Sequence, residues 1–255
     1  MTSWQLILSP CLSGPAQMDL DLKLFQDFDK GLITSILRIY SWKPNCISLG
    51  YSQSIEKEID TNKAALLGWD VVKRPTGGGI VFHNEAEVTY SLVTAIDNPL
   101  LPKGLVPSYK KISEAVVLGL NTIGVSAKIQ SSPRHSLRSC HPSPSLMERG
   151  MNSDVSRKKG VRSLCFSYPA EYEIVANGGK IVGSAQKRGR KALLQQGSVF
   201  VRNTTNEALS VLKRRDLELN AVSVEEILGR QISFEELSGA LINGFEQGLG
   251  IKFKI

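Results

Sequence analysis

The chain has 255 residues, 42% of them hydrophobic, and a formal net charge of +7. That length makes one large domain or two small ones with a sizeable core; no apolar run is long enough to span a bilayer, and the composition is not that of a disordered chain. Seven basic and two acidic residues fall within 131–162, so five of the seven net positive charges sit in one segment. Without aromatic or motif support, this uneven charge does not describe a nucleic-acid-binding face.

Residues 1–12 have no basic stretch ahead of their short apolar run, and Asp19, Asp21, Asp27 and Asp29 follow. This argues against a signal or transit peptide and makes the cytoplasm the expected location. Ser13-Gly14-Pro15 reads as a helix start, after which Met18, Leu22 and Phe25 recur on one face. Residues 37–42 and 46–51 read as strands joined by Lys43-Pro44-Asn45, and 61–67 as a short helix. Two strand-like segments, 69–73 and 80–83, flank a glycine run, and a strongly β-prone stretch covers 87–95. Pro107 opens a second long helix with Tyr109, Ile112, Val116, Leu120 and Ile123 on one face. A strand is expected over 125–129. The Ser-, Pro- and Arg-rich residues 131–162 show no apolar periodicity and read as a long mobile basic loop.

Strands resume at 164–166, 172–176, 181–186 and 192–201, and helices at 207–212, 224–228 and 234–249. The mixture predicts a single α+β domain over 1–255, with a mixed, largely antiparallel sheet flanked by helices.

Two stretches carry the chemistry. Lys73-Arg74-Pro75-Thr76-Gly77-Gly78-Gly79 leads through Ile80 to His83. Three consecutive glycines give either a tight hairpin or a place where a ligand approaches the backbone. The second runs from Cys165 through Tyr172-Glu173-Ile174 to Gly179-Lys180-Ile181-Val182-Gly183-Ser184-Ala185-Gln186, with Leu194-Gln195-Gln196-Gly197-Ser198 beyond. A lysine opening such a strand needs an anionic or polar partner if it points inward. An ammonium near a thiol stabilises the thiolate, so Cys165 and Lys180 form a nucleophile pair if the fold brings them together. By residue type alone the plainer roles are the stronger ones: Cys165 a core thiol, Lys180 a turn residue and His83 structural. The four cysteines, at 11, 46, 140 and 165, have no paired spacing, and a reducing compartment needs no disulfide. His135, Cys140 and His141 fit no zinc spacing.

The combination resembles the biotin/lipoate protein ligase catalytic-domain family. The residues that carry the likeness are Ile47-Ser48-Leu49-Gly50-Tyr51-Ser52-Gln53, Arg74 to His83, Val88-Thr89-Tyr90-Ser91, Lys180 to Gln186 and Leu194 to Ser198. The resemblance implies a class II synthetase-like catalytic domain that attaches an acyl group to one lysine of a carrier domain. Cys165-Phe166, followed by Pro169 and Tyr172-Glu173-Ile174, looks like the nucleophile segment of the LipM-type octanoyltransferase branch, and Lys180 matches the lysine shared across the family. Only residues 199–255 follow Ser198, which favours a transferase over a ligase with a fused C-terminal domain. The spacing His83-Asn84-Glu85-Ala86-Glu87 is nearer the ligase pattern.

The resemblance therefore implies transfer of an octanoyl group from octanoyl-acyl carrier protein, through a Cys165 thioester, to a lipoyl carrier domain. That carrier is the glycine-cleavage protein or a dehydrogenase acyltransferase subunit. Lys180 assists, and Arg74, Thr76, Gly77, Gly78, Gly79, His83, Gly183, Ser184 and Ala185 form the acyl pocket. No cofactor or metal is required for the transferase, whereas an ATP-dependent lipoate–protein ligase would use ATP and Mg. A non-catalytic paralogue that only binds lipoyl domains is the third reading. The basic 131–162 segment is a candidate dock for the acidic acyl carrier protein. Neither nucleic acid nor membrane is an expected partner, and a monomer is expected.

Overall fold

The computed structural model describes residues 4–130, 172–203, 206–213 and 220–254. Within them, strands β1 (Trp4–Leu8), β2 (Ser35–Tyr40), β6 (Val88–Ala95), β7 (Lys128–Ile129), β8 (Ile174–Ala176), β9 (Gly179–Arg188), β10 (Ala192–Val199) and β11 (Phe253–Lys254) form one sheet in the order β11-β1-β2-β6-β10-β9-β8-β7. The pairs β11–β1 and β1–β2 are parallel, and every other pair is antiparallel. A second sheet holds β3 (Cys46–Leu49) between β4 (Asp70–Lys73), parallel to it, and β5 (Val81–His83), antiparallel. The mixed, largely antiparallel α+β architecture is the one the sequence predicts.

One face of the large sheet carries Leu37, Ile39, Tyr90, Leu92 and Leu193 into the main core, which helices α4 (Leu105–Thr122) and α7 (Phe234–Leu249) cover. Those helices bury Ile112, Val116, Leu120, Leu237, Leu241 and Phe245 at helical spacing. Short helices α2 (Ile55–Glu58), α3 (Thr61–Leu66) and α5 (Asn206–Ser210) lie near the small sheet, whose core includes Ile47, Leu49, Phe82 and Val211. Helix α6 (Val224–Leu228) starts at Ser223 with a reciprocal capping box to Glu226.

Helix α1 (Gly14–Asp29) covers the other face of the large sheet, with Pro15 in its first turn. Its buried side differs from the apolar stripe that the spacing of Met18, Leu22 and Phe25 suggests. Leu22 is 36% exposed, while Gln17 and Asp21 are fully buried beside Met18, Leu24 and Phe25. The physical reason is a charge beneath the helix: Arg38 of β2 is fully buried and pairs with Asp21 at 2.6 Å. Asp21 also accepts hydrogen bonds from Tyr40, Ser91 and Gln196 at 2.7–2.8 Å.

The flanks of the glycine run are not a hairpin. β4 and β5 lie on opposite sides of β3, so residues 74–80 cross the end of β3. The expected basic loop at 131–162, the expected strand at 164–166, Cys165 and the His135, Cys140 and His141 cluster lie outside the described residues. No helix among the described residues is long and apolar enough to cross a membrane, and no group of three or more His, Cys, Asp or Glu among them could hold a metal ion.

Candidate active site

A small pocket opens on the α1 face of the large sheet. Met18, Tyr40, Trp42 and Val81 give it apolar wall, Arg74 and His83 line it beneath the small sheet, and Gly183, Ser184, Ala185 and Ser198 line it from β9 and β10.

Arg74 organises the crossing. One guanidinium nitrogen donates to the carbonyl and the hydroxyl of Ser48, each at 2.8 Å; the other donates to the carbonyls of Gly77 and Gly79 at 2.8 and 2.7 Å. The planar fork thus ties the glycine run to β3. Backbone bonds from Arg74 to Leu49 and from Tyr51 to Thr76 fasten its two sides. The crossing lies so close to β3 that a Cβ on Gly50 would sit 2.0 Å from the carbonyl oxygen of Gly78. A glycine at position 50 is required by that approach.

His83 is buried at 2% exposure and stacks on Trp42 with centroids 4.0 Å apart. Its Nδ1 lies 2.6 Å from Glu87 and its Nε2 lies 2.6 Å from the Ser48 hydroxyl. A carboxylate accepts, so Nδ1 carries the hydrogen of that bond, and the Ser48 hydroxyl that meets Nε2 also accepts from Arg74. Thr89 also donates to Glu87, and Trp42 donates to Thr89. Glu87, His83, Ser48 and Arg74 therefore form one chain of hydrogen bonds ending on the glycine run.

Thr76 donates at 2.7 Å to Gln196, which reaches Asp21 with its amide nitrogen. Burial raises the Tyr40 phenol well above its ordinary value, and neighbouring Asp21 adds to the rise, so Tyr40 stays a neutral donor to that carboxylate. Thr76, Gly77, Gly78 and Gly79 are not among the cavity-lining residues. The glycines that do line it are Gly183 and Gly197. Gly197 has its own reason: a Cβ there would lie 2.3 Å from the Tyr90 ring on the core side.

Lys180 is fully buried at the start of β9, and its ammonium pairs with Glu173. Its backbone is held from the far side by Asn220 and Val222. It is not a lining residue; along β9 it lies three positions before Gly183. The described residues do not include Cys165, so the thiol–ammonium pair expected from the sequence has one member placed.

The sequence alone assigns no site role to Glu173, Glu87, Ser48, Gln196 or Asp21. Glu173, Ser48, Glu87 and Gln196 stand inside the motifs, but nothing in their spacing marks them as partners of Lys180, Arg74, His83 and Thr76. Beside the crossing, Tyr51 is 67% exposed, with the ammonium groups of Lys73 and Lys187 at 5.8 and 5.3 Å from its ring centre.

A family model described as lipoyl protein ligase A/B catalytic domain matches residues 13–246. The chain belongs to that family. Its relatives include the octanoyltransferase LipM of Clostridioides difficile, 31% identical over 99% of this chain and 89% of that protein. The octanoyltransferase LipM of Kyrpidia tusciae is 33% identical over 100% of this chain and 90% of its own length. Among solved structures, a lipoate-protein ligase A bound with ATP is similar at a TM-score of 0.70 and 25% identity, covering 99% of this chain and 87% of that one. A bi-partite lipoate protein ligase from Thermoplasma acidophilum has the same fold, at a TM-score of 0.65 and 21% identity, covering 100% of this chain and 86% of its own.

Proposed function

We propose that this protein is an octanoyltransferase of protein lipoylation, moving an octanoyl group from octanoyl-acyl carrier protein to one lysine of a lipoyl carrier domain. The observation that carries the reading is the full-length likeness to octanoyltransferases named LipM at 31–33% identity. The pocket's lining suits it: Met18, Tyr40, Trp42 and Val81 give an apolar wall, and Lys180, paired with Glu173, lies three positions before Gly183 on β9.

In this mechanism the Cys165 thiolate attacks the thioester carbonyl. A carbon–sulfur bond forms to Cys165, and the donor's bond breaks with its electron pair leaving on the carrier thiolate, which takes up a proton. Lys180, held by Glu173, supplies positive charge beside that exchange and assists the proton transfers. The lysine of the carrier domain then attacks the acyl-enzyme and releases Cys165. Thioester exchange is near balance and amide formation runs downhill, so this chemistry needs neither ATP nor a metal. Arg74, Thr76 and His83 keep the crossing and the cavity wall in shape.

Lys73 and Lys187 make no salt bridge among the described residues. Both lie beside cavity-lining positions: Lys73 precedes Arg74, and Lys187 shares a strand face with Ala185. They suit the phosphodiester of the donor's arm better than the acceptor, whose reacting group is itself a lysine. The double variant Lys73→Glu/Lys187→Glu should raise KM for octanoyl-acyl carrier protein by 10-fold or more and leave a small octanoyl thioester unaffected. Equal effects on both donors would discard this contact.

Intact mass after incubation with octanoyl-acyl carrier protein tests the reading. One octanoyl adduct, absent in Cys165→Ser, is expected. ATP-dependent transfer of free lipoate without an adduct would make the protein a lipoate–protein ligase instead. Carrier binding with neither activity would leave a binding module.

A further inference from the structure

Each polar side chain lining the cavity has a hydrogen-bond partner within the protein, with one exception. Arg74 is bonded to Ser48, Gly77 and Gly79, and His83 to Glu87 and Ser48. Thr89 is bonded to Glu87 and Trp42, Ser184 to Tyr90 at 3.0 Å, and Gln196 to Thr76 and Asp21. Tyr40 is bonded to Asp21. The hydroxyl of Ser198 is buried, in a residue 4% exposed, and has no partner among the described residues.

The register explains where this hydroxyl sits. Ser198 of β10 lies between Thr89 of β6 and Gly183 of β9. Cross-strand partners share a face, so the side chain stands on the α1 side of the sheet, where the cavity is. Thr89 has its oxygen engaged, and Gly183 has no side chain to offer. A buried hydroxyl left unbonded costs free energy, which a ligand atom placed over Gly183 would recover.

We propose that Ser198 is a substrate-binding residue whose hydroxyl donates a hydrogen bond to the carbonyl oxygen of the acyl group. This rests on the acyl-transfer reading and deepens it. A saturated straight-chain acyl thioester carries one good acceptor, its carbonyl oxygen. That oxygen gains negative charge as the thiolate adds, so a donor already in place holds it more strongly in the transition state than in the ground state. Ser198 gives up no proton in the step. Its hydrogen bond tightens as the carbon–oxygen double bond opens and relaxes when the carrier thiolate leaves.

The test uses the full chain and the variants Ser198→Ala and Ser198→Thr, with three measurements. The first is single-turnover acylation by octanoyl-N-acetylcysteamine, followed by intact mass. The second is the melting temperature of the ligand-free protein. The third is the melting shift produced by octanamide, which has the carbonyl but no leaving group. Ser198→Ala is expected to acylate about 10²-fold more slowly, mainly through kcat. It should melt no lower than the parent, because it removes an unbonded hydroxyl, and should lose most of the octanamide shift. Ser198→Thr, which keeps a hydroxyl, should recover much of the rate. A Ser198→Ala protein with the parent's acylation rate and octanamide shift overturns the proposal. One that melts several degrees lower, without rescue by threonine, makes Ser198 a structural residue and overturns it too. If the parent itself forms no adduct, the transfer reading fails, and the octanamide shift in parent and Ser198→Ala still decides whether this hydroxyl meets an acyl carbonyl.

Discussion

At the scale of single residues, the pairing of Lys180 with Glu173 separates chemistry from support. Lys180→Met is expected to lower acyl transfer by about 10²–10⁴-fold, the range for losing a group that assists proton transfer, and also to lower stability because the Glu173 carboxylate loses its ammonium. Glu173→Gln leaves the buried ammonium without its carboxylate and should cost about 3–5 kcal/mol in denaturant unfolding. If Glu173→Gln unfolds at the parent's midpoint, the pair does not hold this corner. Thiol chemistry offers a second check. Burial, with Asp70 and Glu87 adding to it, pushes the Cys46 thiol well above its ordinary value, whereas Cys11 is exposed. Brief alkylation at pH 8 should label Cys11 and leave Cys46 unmodified, as read by peptide mass; equal labelling would contradict the burial. Lys180 stood out in the sequence because a charge opening an Ile-Val-Gly-Ser strand has to be answered. Glu173 did not, because its partnership depends on the irregular register where β8 meets β9.

At the scale of elements, α1 is held by a charge as much as by apolar packing. Asp21→Ala removes the carboxylate that answers Arg38, Tyr40, Ser91 and Gln196, and leaves a guanidinium buried without its counter-ion. A loss of about 3–5 kcal/mol is expected by chemical denaturation. The joint change Asp21→Leu/Arg38→Met should cost clearly less than Asp21→Ala, since both charges leave together. If the double change costs more, the pair stabilises rather than only orients. The helix itself was readable from Ser13-Gly14-Pro15, but its buried face was not, because hydrophobic spacing is blind to a polar face that meets its partners inside. Strand positions around the glycines were legible for the same elementary reason that β-branched runs mark strands. That they flank β3 instead of each other was not, because pairing partners are chosen by tertiary contact.

At the scale of the whole molecule, carboxylates at several separate places share one dependence on acid. Backbone N–H groups of Lys191 and Ala192 hold Asp29 below the usual carboxylate range, and Arg202, Arg230 and Lys252 do the same for Glu225, Glu236 and Glu246. Each binds its proton less readily folded than unfolded, so its contribution is complete above the ordinary carboxylate pKa of about 4 and fades as pH falls below that. The melting temperature should be level between pH 8 and 5 and drop below about pH 4. The exposure of these groups keeps each share small. A melting temperature that rises on acidification would reverse the sign. The α+β class and the family were legible across the chain, since both follow from motif order. The cavity was only half legible: Arg74, His83, Gly183, Ser184 and Ala185 line it, while Gly77 and Gly79 accept from Arg74, and Thr76 donates to Gln196, without lining it. The close seat of Gly78 on Gly50 carries a genetic consequence. No side chain fits at position 50 unless the backbone at 78 withdraws, so in a mutational library the two codons should behave as one locus. Harm from a change at either would mask a change at the other, giving strong epistasis between sites far apart in the reading frame.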